Sequence, residues 1–245
     1  MRYAIYFSPS MSDPLTRVAT NWLGRDAFTD ETIEAPAISG LNDAEIAFHT
    51  AAPRRYGFHG TLKAPFHLAP GFSEQELVNA LTTFAATVGQ FEIPRLEISR
   101  IGPFFALVPD APVAELKDLA GRVVRELDRF RAPLSEADLE RRAPHNLSPA
   151  QLANLQRWGY PYVFEEFRFH MTLTGPVDDA DELRVRQALH DFFDPVLSEP
   201  VEVRTIALFA ESDQGGPFRV QSLFTLSAGN VRRSALQMVR NHVNV

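Results

Sequence analysis

One order of elements occurs twice along this chain, at an offset of about 110 residues. Tyr56–Leu68 reads as a strand. A helix follows, opened by the capping box Ser73-Glu74-Gln75-Glu76, carrying Leu77, Leu81, Phe84 and Val88 at helical spacing and ended by Gly89. Phe91–Ile101 and Phe104–Val108 then read as strands turned at Gly102-Pro103. The second half repeats this as a strand over Phe167–Leu173, a helix over Asp178–Phe192, and strands over Val201–Ala210 and Phe218–Leu226 turned at Asp213-Gln214-Gly215-Gly216. Internal duplication within an α+β chain is the simplest reading; coincidence among common elements is the alternative.

The other segments frame the repeat. Arg2–Ser8 is a strand, and Ser12 or Asp13 caps a helix with Pro14 at its first position, running through Trp22-Leu23 to Gly24. Residues 25–53 read as loop with a short helix near Asp43–Thr50. Between the halves lies a helical insert, at about 112–158. Its first helix, Val113–Phe130, sets Leu116, Leu119, Val123, Val124 and Leu127 on one side. A short helix starts at Ser135-Glu136-Ala137-Asp138, and a third runs from Ser148-Pro149 through Leu152 and Leu155 to Trp158-Gly159. The insert reads as scaffold or lid. Val231–Val245 reads as a final helix.

Two of the seven histidines open the same pattern in matching strands: Phe58-His59-Gly60-Thr61-Leu62 and Phe169-His170-Met171-Thr172-Leu173. Residues i and i+2 of a strand share a face. His59 therefore shares a face with Thr61, and His170 with Thr172, while Phe58, Leu62, Phe169 and Leu173 turn inward. Two such strands related by a pseudo-twofold axis aim both pairs into one cleft. Two imidazoles suit general acid–base catalysis near neutral pH. Two hydroxyls can donate to phosphate oxygens as charge develops. That combination fits phosphodiester cleavage without a metal; the bland alternative is two buried polar pairs that satisfy strand ends. His49, His145 and His242 sit in no such setting and read as surface or capping residues.

Charge narrows the substrate. The formal net charge is −7 and the pI near 5.5, which disfavours a protein that coats nucleic acid. Yet Ile46–Ser73 holds no acidic residue and carries Arg54, Arg55, Lys63, His59 and His67. Lys63 lies two residues past Thr61 and Arg168 two before His170, so both are expected on the catalytic face, with Arg54 and Arg55 at its rim. Tyr6 and Phe7 lie on opposite faces of the first strand, and Tyr6 is the candidate to stack on a base or sugar. With no cysteine, thiolate chemistry and disulfides are excluded. No signal peptide or membrane span is legible, and the expected location is cytoplasmic.

Paired His-x-Thr-Leu motifs in two halves resemble the 2H phosphoesterase superfamily, which includes RNA 2′-5′ ligase-like proteins and cyclic phosphodiesterases. Trp22-Leu23-Gly24-Arg25-Asp26, the run Arg55–Phe66 and the helical insert are similar to the phosphonate-metabolism branch. The resemblance implies an α+β, bilobal, pseudo-twofold (LigT-like) fold, with two antiparallel sheets around a central cleft and helices outside. It also implies catalysis by His59 and His170 and phosphate binding by Thr61 and Thr172. The whole chain is expected to form one bilobal domain, with the first motif in a lobe at about 50–110 and the second in a lobe at about 160–228. The expected partner is a small phosphorylated molecule bearing a cyclic phosphate, with no cofactor, metal or membrane. An RNA end processed at its 2′,3′-cyclic phosphate is the second reading, and a phosphate-binding protein without turnover the third.

Overall fold

The computed structural model describes residues 1–34, 37–136, 138–139, 147–212 and 215–228. The expected tail helix, His145, His242, Ala137 and the turn residues Asp213-Gln214 lie outside the described residues. The first half runs β1 (Arg2–Phe7), α1 (Pro14–Leu23), α2 (Asp43–Tyr56), β2 (Gly60–Phe66), α3 (Glu74–Ala86), β3 (Phe91–Ile93), β4 (Leu96–Ile101) and β5 (Phe104–Pro109). The insert supplies α4 (Ala114–Glu126), a 3₁₀ turn at Asp128–Phe130 and α5 (Pro149–Trp158). The second half runs β6 (Met171–Thr172), α6 (Glu182–Phe193), β7 (Val201–Val203), β8 (Thr205–Glu211) and β9 (Arg219–Thr225).

Capping chemistry sets several boundaries. Asp13 accepts from the Leu15 amide to start α1, which stops at Gly24 with φ of 70°. Reciprocal capping boxes start α3 at Ser73/Glu76 and α5 at Ser148/Gln151. α2 runs well past Thr50 although Pro53 lies inside it. Pro53 lacks the N–H that would reach the His49 carbonyl; that oxygen instead accepts from the Gly175 amide at 2.6 Å. The helix therefore takes in Arg54 and Arg55 as well as Tyr56, which had been expected to open the strand, and the motif strand starts only at Gly60. The long strands expected over 91–101 and 201–210 each break in two, at Pro94-Arg95 and at Arg204.

Among the described residues the strands form a seven-stranded antiparallel sheet, ordered β4-β5-β6-β2-β1-β8-β9, and a two-stranded sheet of β3 and β7. The duplication is visible in the pairing. In the small sheet Phe91 pairs with Val203, Glu92 with Glu202 and Ile93 with Val201, so a twofold axis passes at Glu92/Glu202. In the large sheet Gly60 pairs with Met171, its equivalent in the second motif. That one bridge joins the two halves of the sheet, because the chain leaves the ladder at both His59 and His170. Of the strand expected over Phe167–Leu173, only Met171–Thr172 is paired.

The spatial halves are not the sequence halves, contrary to the contiguous lobes expected at 50–110 and 160–228. β2 shares its half of the sheet with β1 and the hairpin β8–β9, and α3 packs on that hairpin. β6 shares the other half with the hairpin β4–β5, and α6 packs on β4. The reason is the small sheet: each helix leads into β3 or β7, which crosses the axis and delivers the next hairpin to the opposite side.

Strand alternation divides the apolar residues. Tyr3, Ile5 and Phe7 of β1 enter a large core with the helices, together with Trp22, Leu62, Phe66, Phe105 and Leu208. Ala4 and Tyr6 turn the other way and meet Ala207, Phe209 and Phe218 in a smaller cluster. The Trp22 indole donates to the Leu173 carbonyl at 2.8 Å and ties α1 to the second motif.

Candidate active site

The Gly60–Met171 register determines the layout of both motifs. In an antiparallel pair, residues flanking a facing pair lie on the opposite side of the sheet from it. By that alternation His59 and Thr61, on either side of Gly60, and His170 and Thr172, on either side of Met171, fall on one face. Phe58, Leu62, Phe169 and Leu173 are buried on the other face, as their alternation predicts. Gly60 has no alternative residue of ordinary size: a Cβ there would stand 2.5 Å from the Phe169 ring.

Both imidazoles are held alike. His59 Nδ1 lies 2.9 Å from the Gly57 carbonyl, and His170 Nδ1 lies 2.9 Å from the Arg168 carbonyl. A carbonyl only accepts, so each Nδ1 carries the proton and donates, and each Nε2 is left for chemistry. Around His59 Nε2, the Thr61 hydroxyl approaches to 3.3 Å. Gly57 makes its bond from φ of 74° and ψ of 177°, and a Cβ there would meet that of Ala27 at 2.4 Å. The motif spacing gives no sign of Gly57; its place directly after a helix end is the signal.

The two environments differ. Tyr6 stacks on His59, ring centroids 3.9 Å apart and planes 24° apart, while Tyr56 and Phe209 stand at 6.0 and 6.2 Å. Burial, against the Gly57 hydrogen bond and with the nearby charge of His170, pushes the His59 imidazole down to about 4. His170 faces Phe104 at 5.8 Å and the exposed Arg168. Its imidazole is also lowered, by burial and then, against its backbone hydrogen bond, by the Arg168 charge.

The expected cations divide. Arg168 is exposed beside His170 and borders a cleft of about 380 Å³ that also has Ser99, Val113 and Lys117 on its walls. Lys63 is not a free phosphate ligand: it is buried, and its ammonium pairs with Asp128 of the insert at 2.8 Å. A register shift between Thr61 and Lys63 interrupts the alternation that was to keep Lys63 on the histidine face. Arg54 donates to the Leu23 carbonyl and the Thr50 hydroxyl, both at 2.6 Å, and serves to bind α1 to α2. Arg55 donates to the Gly216 carbonyl and pairs with Glu211, which also takes Arg2. Burial pushes the Glu211 carboxyl up, but the hydrogen bonds of Arg2 and Arg55 outweigh it and leave it below its ordinary range. Glu211 ends a strand and looks like a solvated charge in sequence, so its role was not legible there. Tyr6 has its ring against His59, where a substrate base or sugar had been expected to stack. His49, expected as a surface or capping residue, is buried within α2.

Among the described residues no group of three or more His, Asp and Glu comes together as a metal site, and no helix is long and apolar enough to cross a membrane. The arrangement offers two fixed Nε2 atoms and two hydroxyls on one face, which suits moving protons at a tetrahedral phosphorus.

Comparison with known proteins adds relatives. The chain is 37% identical over 221 residues to a protein named ribose 1,5-bisphosphate phosphokinase PhnN from Janthinobacterium sp. (strain Marseille), covering 89% of this chain and 49% of that protein. It is 37% identical over 233 residues to a protein of the same name from Laribacter hongkongensis (strain HLHK9), covering 94% and 53%. The chain thus spans about half the length of these relatives. Among solved structures it is similar to E. coli LigT complexed with NADP+, with a TM-score of 0.41 and 14% identity over 92% of this chain and 97% of that one. It is also similar to a crystal structure of a phosphoesterase, at 0.39 and 11% over 92% and 98%. Residues 61–219, which run from Thr61 of the first motif through the insert and the whole second motif, match the family described as protein of unknown function (DUF1045), and the chain belongs to that family.

Proposed function

We propose that the protein is a metal-independent phosphodiesterase that hydrolyses a small cyclic phosphate on a ribose-like sugar, in phosphonate metabolism. The observation that carries this reading is the antiparallel register of the motifs, with each imidazole anchored through Nδ1. One Nε2 takes a proton from the attacking water and the other gives a proton to the leaving oxygen. Thr61 and Thr172 donate to the non-bridging oxygens. When phosphate arrives, the Thr61 hydroxyl turns to it and frees His59 Nε2. Arg168 supplies the positive charge that Lys63, Arg54 and Arg55 spend on protein partners.

The name of the longer relatives supports a ribose phosphate as the substrate class. Their named kinase activity finds no support in these residues. A phosphate-binding kinase loop needs Gly-Lys at its end, and the two lysines, Lys63 and Lys117, each follow leucine. The test compares kcat/KM for a ribose cyclic phosphate, a mononucleotide 2′,3′-cyclic phosphate and an oligonucleotide bearing that end, each with and without EDTA. The reading expects the ribose ester to lead and EDTA to leave the rate unchanged. An oligonucleotide ahead by more than about tenfold, some 1.4 kcal/mol of transition-state binding, gives the RNA-end reading instead. Tight phosphate binding with no turnover of any ester would identify a binding protein.

A further inference from the structure

We propose that Tyr6 is a positioning residue for His59, and that the aromatic enclosure it closes makes His59 the base and His170 the acid of the reaction proposed above, on which this assignment rests. The pseudo-twofold axis makes the two histidines equivalent in sequence, backbone and Nδ1 anchor. Their surroundings break that equivalence.

His59 is enclosed from four elements: Tyr6 of β1 stacked at 3.9 Å, Tyr56 of α2, Phe209 of β8, and Thr61 of β2 against Nε2. The charged or titratable groups facing it are the two tyrosines and His170. No carboxylate appears among the influences that set its protonation. A nearly parallel stack fixes the ring plane and replaces water with an apolar face. A protonated imidazole loses hydration there and gains no counter-charge. The Thr61 contact agrees: with Nδ1 already donating to Gly57, Nε2 accepts from the hydroxyl, as a neutral ring does. Among the described residues His170 has one aromatic neighbour, Phe104, at 5.8 Å, with Arg168 as the facing charge. Arg168 opposes a proton on His170 in the empty site. A phosphate bound between them neutralises that opposition, so substrate itself favours the acid form of His170. On His59 the opposing charge is that of His170 itself, so a proton on His170 further disfavours one on His59.

His59 Nε2 takes one proton of water as the water oxygen bonds to phosphorus. The bond from phosphorus to the leaving sugar oxygen breaks, and that oxygen takes the Nε2 proton of His170. Water is consumed and a phosphomonoester with a free hydroxyl is formed.

A pH–rate profile has the same shape for either assignment, so the test begins with NMR titration of both imidazoles in the whole protein. His59 is expected to titrate below His170 in the wild type. Tyr6→Ala should raise the His59 midpoint by about one unit or more and leave that of His170 in place. Tyr6→Phe, which keeps the ring stack, should restore the wild-type midpoint. His59 titrating at or above His170 overturns the proposal, and that result needs no variant to fold. A His59 midpoint unmoved in folded Tyr6→Ala overturns the role of Tyr6.

The second arm uses bis(4-nitrophenyl) phosphate, whose leaving group departs without a proton. His170→Ala should recover to within about tenfold of wild type on it, while His59→Ala stays about 100-fold down. The reverse pattern exchanges the roles. If the wild type hydrolyses neither this ester nor any cyclic phosphate, the phosphodiesterase reading fails and the base–acid assignment falls with it. The titrations still decide whether Tyr6 controls His59.

Discussion

Gly60 stands directly opposite Met171 in adjacent antiparallel strands, and each is the variable residue of its own His-x-Thr-Leu motif. The two positions are equivalent by the twofold axis but not interchangeable. The Phe169 ring lies over Gly60, where a Cβ would find it at 2.5 Å, whereas Met171 is buried in the core.

Gly60→Ala should therefore destabilise the fold by about 1–3 kcal/mol, the usual cost of overpacking. Thermal unfolding of the purified variant checks this. An unchanged melting temperature would mean that Phe169 swings away freely and that the motif strands are not held at this bridge.

His59→Ala and His170→Ala should each lower kcat by about 100- to 10,000-fold, the worth of a positioned acid or base. Thr61→Val and Thr172→Val should cost about 100-fold or more, as lost donors to a developing charge do. Steady-state rates on the best cyclic phosphate, with circular dichroism to verify folding, provide the comparison. Near-wild-type turnover by either histidine variant would sink the two-histidine mechanism.

The pH dependence follows from the directions of the two shifts. With His59 as the base and His170 as the acid, as proposed above, activity needs His59 neutral and His170 protonated. The rate rises as pH passes the His59 value of about 4 and falls as pH passes that of His170, which lies below its ordinary 6.5. For kcat/KM, which reports the free enzyme, the maximum should lie in the acidic range between those limits. An optimum above neutrality would show that the empty site does not hold its imidazoles as enclosed as the structure has them.

Lys63 offers a contrast between structure and chemistry. Its ammonium is buried against Asp128, which Arg131 also grips through Nε at 2.8 Å and Nη2 at 3.0 Å. Asp128→Ala leaves a buried charge without its counter-ion and should cost about 3–5 kcal/mol. Lys63→Met removes the charge along with its need for a partner, and should leave KM within about threefold of wild type. A KM rise beyond tenfold in a folded Lys63→Met protein would return this lysine to the phosphate.

Local signals were legible wherever one residue type has one use. Pro14 and Gly24 marked α1, and Ser73/Glu76 marked α3. The repeated Phe-His-x-Thr-Leu put four side chains on one face, as its period of two requires. Long-range partners were not legible. Nothing in the run Arg54-Arg55-Tyr56 signals that α2 absorbs it, because the repair of Pro53 comes from Gly175. Nothing beside Lys63 announces Asp128, and nothing beside Arg55 announces Glu211. Tyr6 could be placed on the right face from alternation, yet only the fold shows that its ring is taken by His59.

The crossing of β3 and β7 has a consequence for how such a chain comes apart. The second half's hairpin β8–β9 pairs with β1 of the first half, and the first half's hairpin β4–β5 pairs with β6 of the second, so each half's strands are extended by the other half's hairpin. A chain carrying one repeat alone would leave its hairpin without that neighbour unless two copies exchanged hairpins. Severing the chain within the insert should then give two fragments that fold on meeting, not two domains that fold apart.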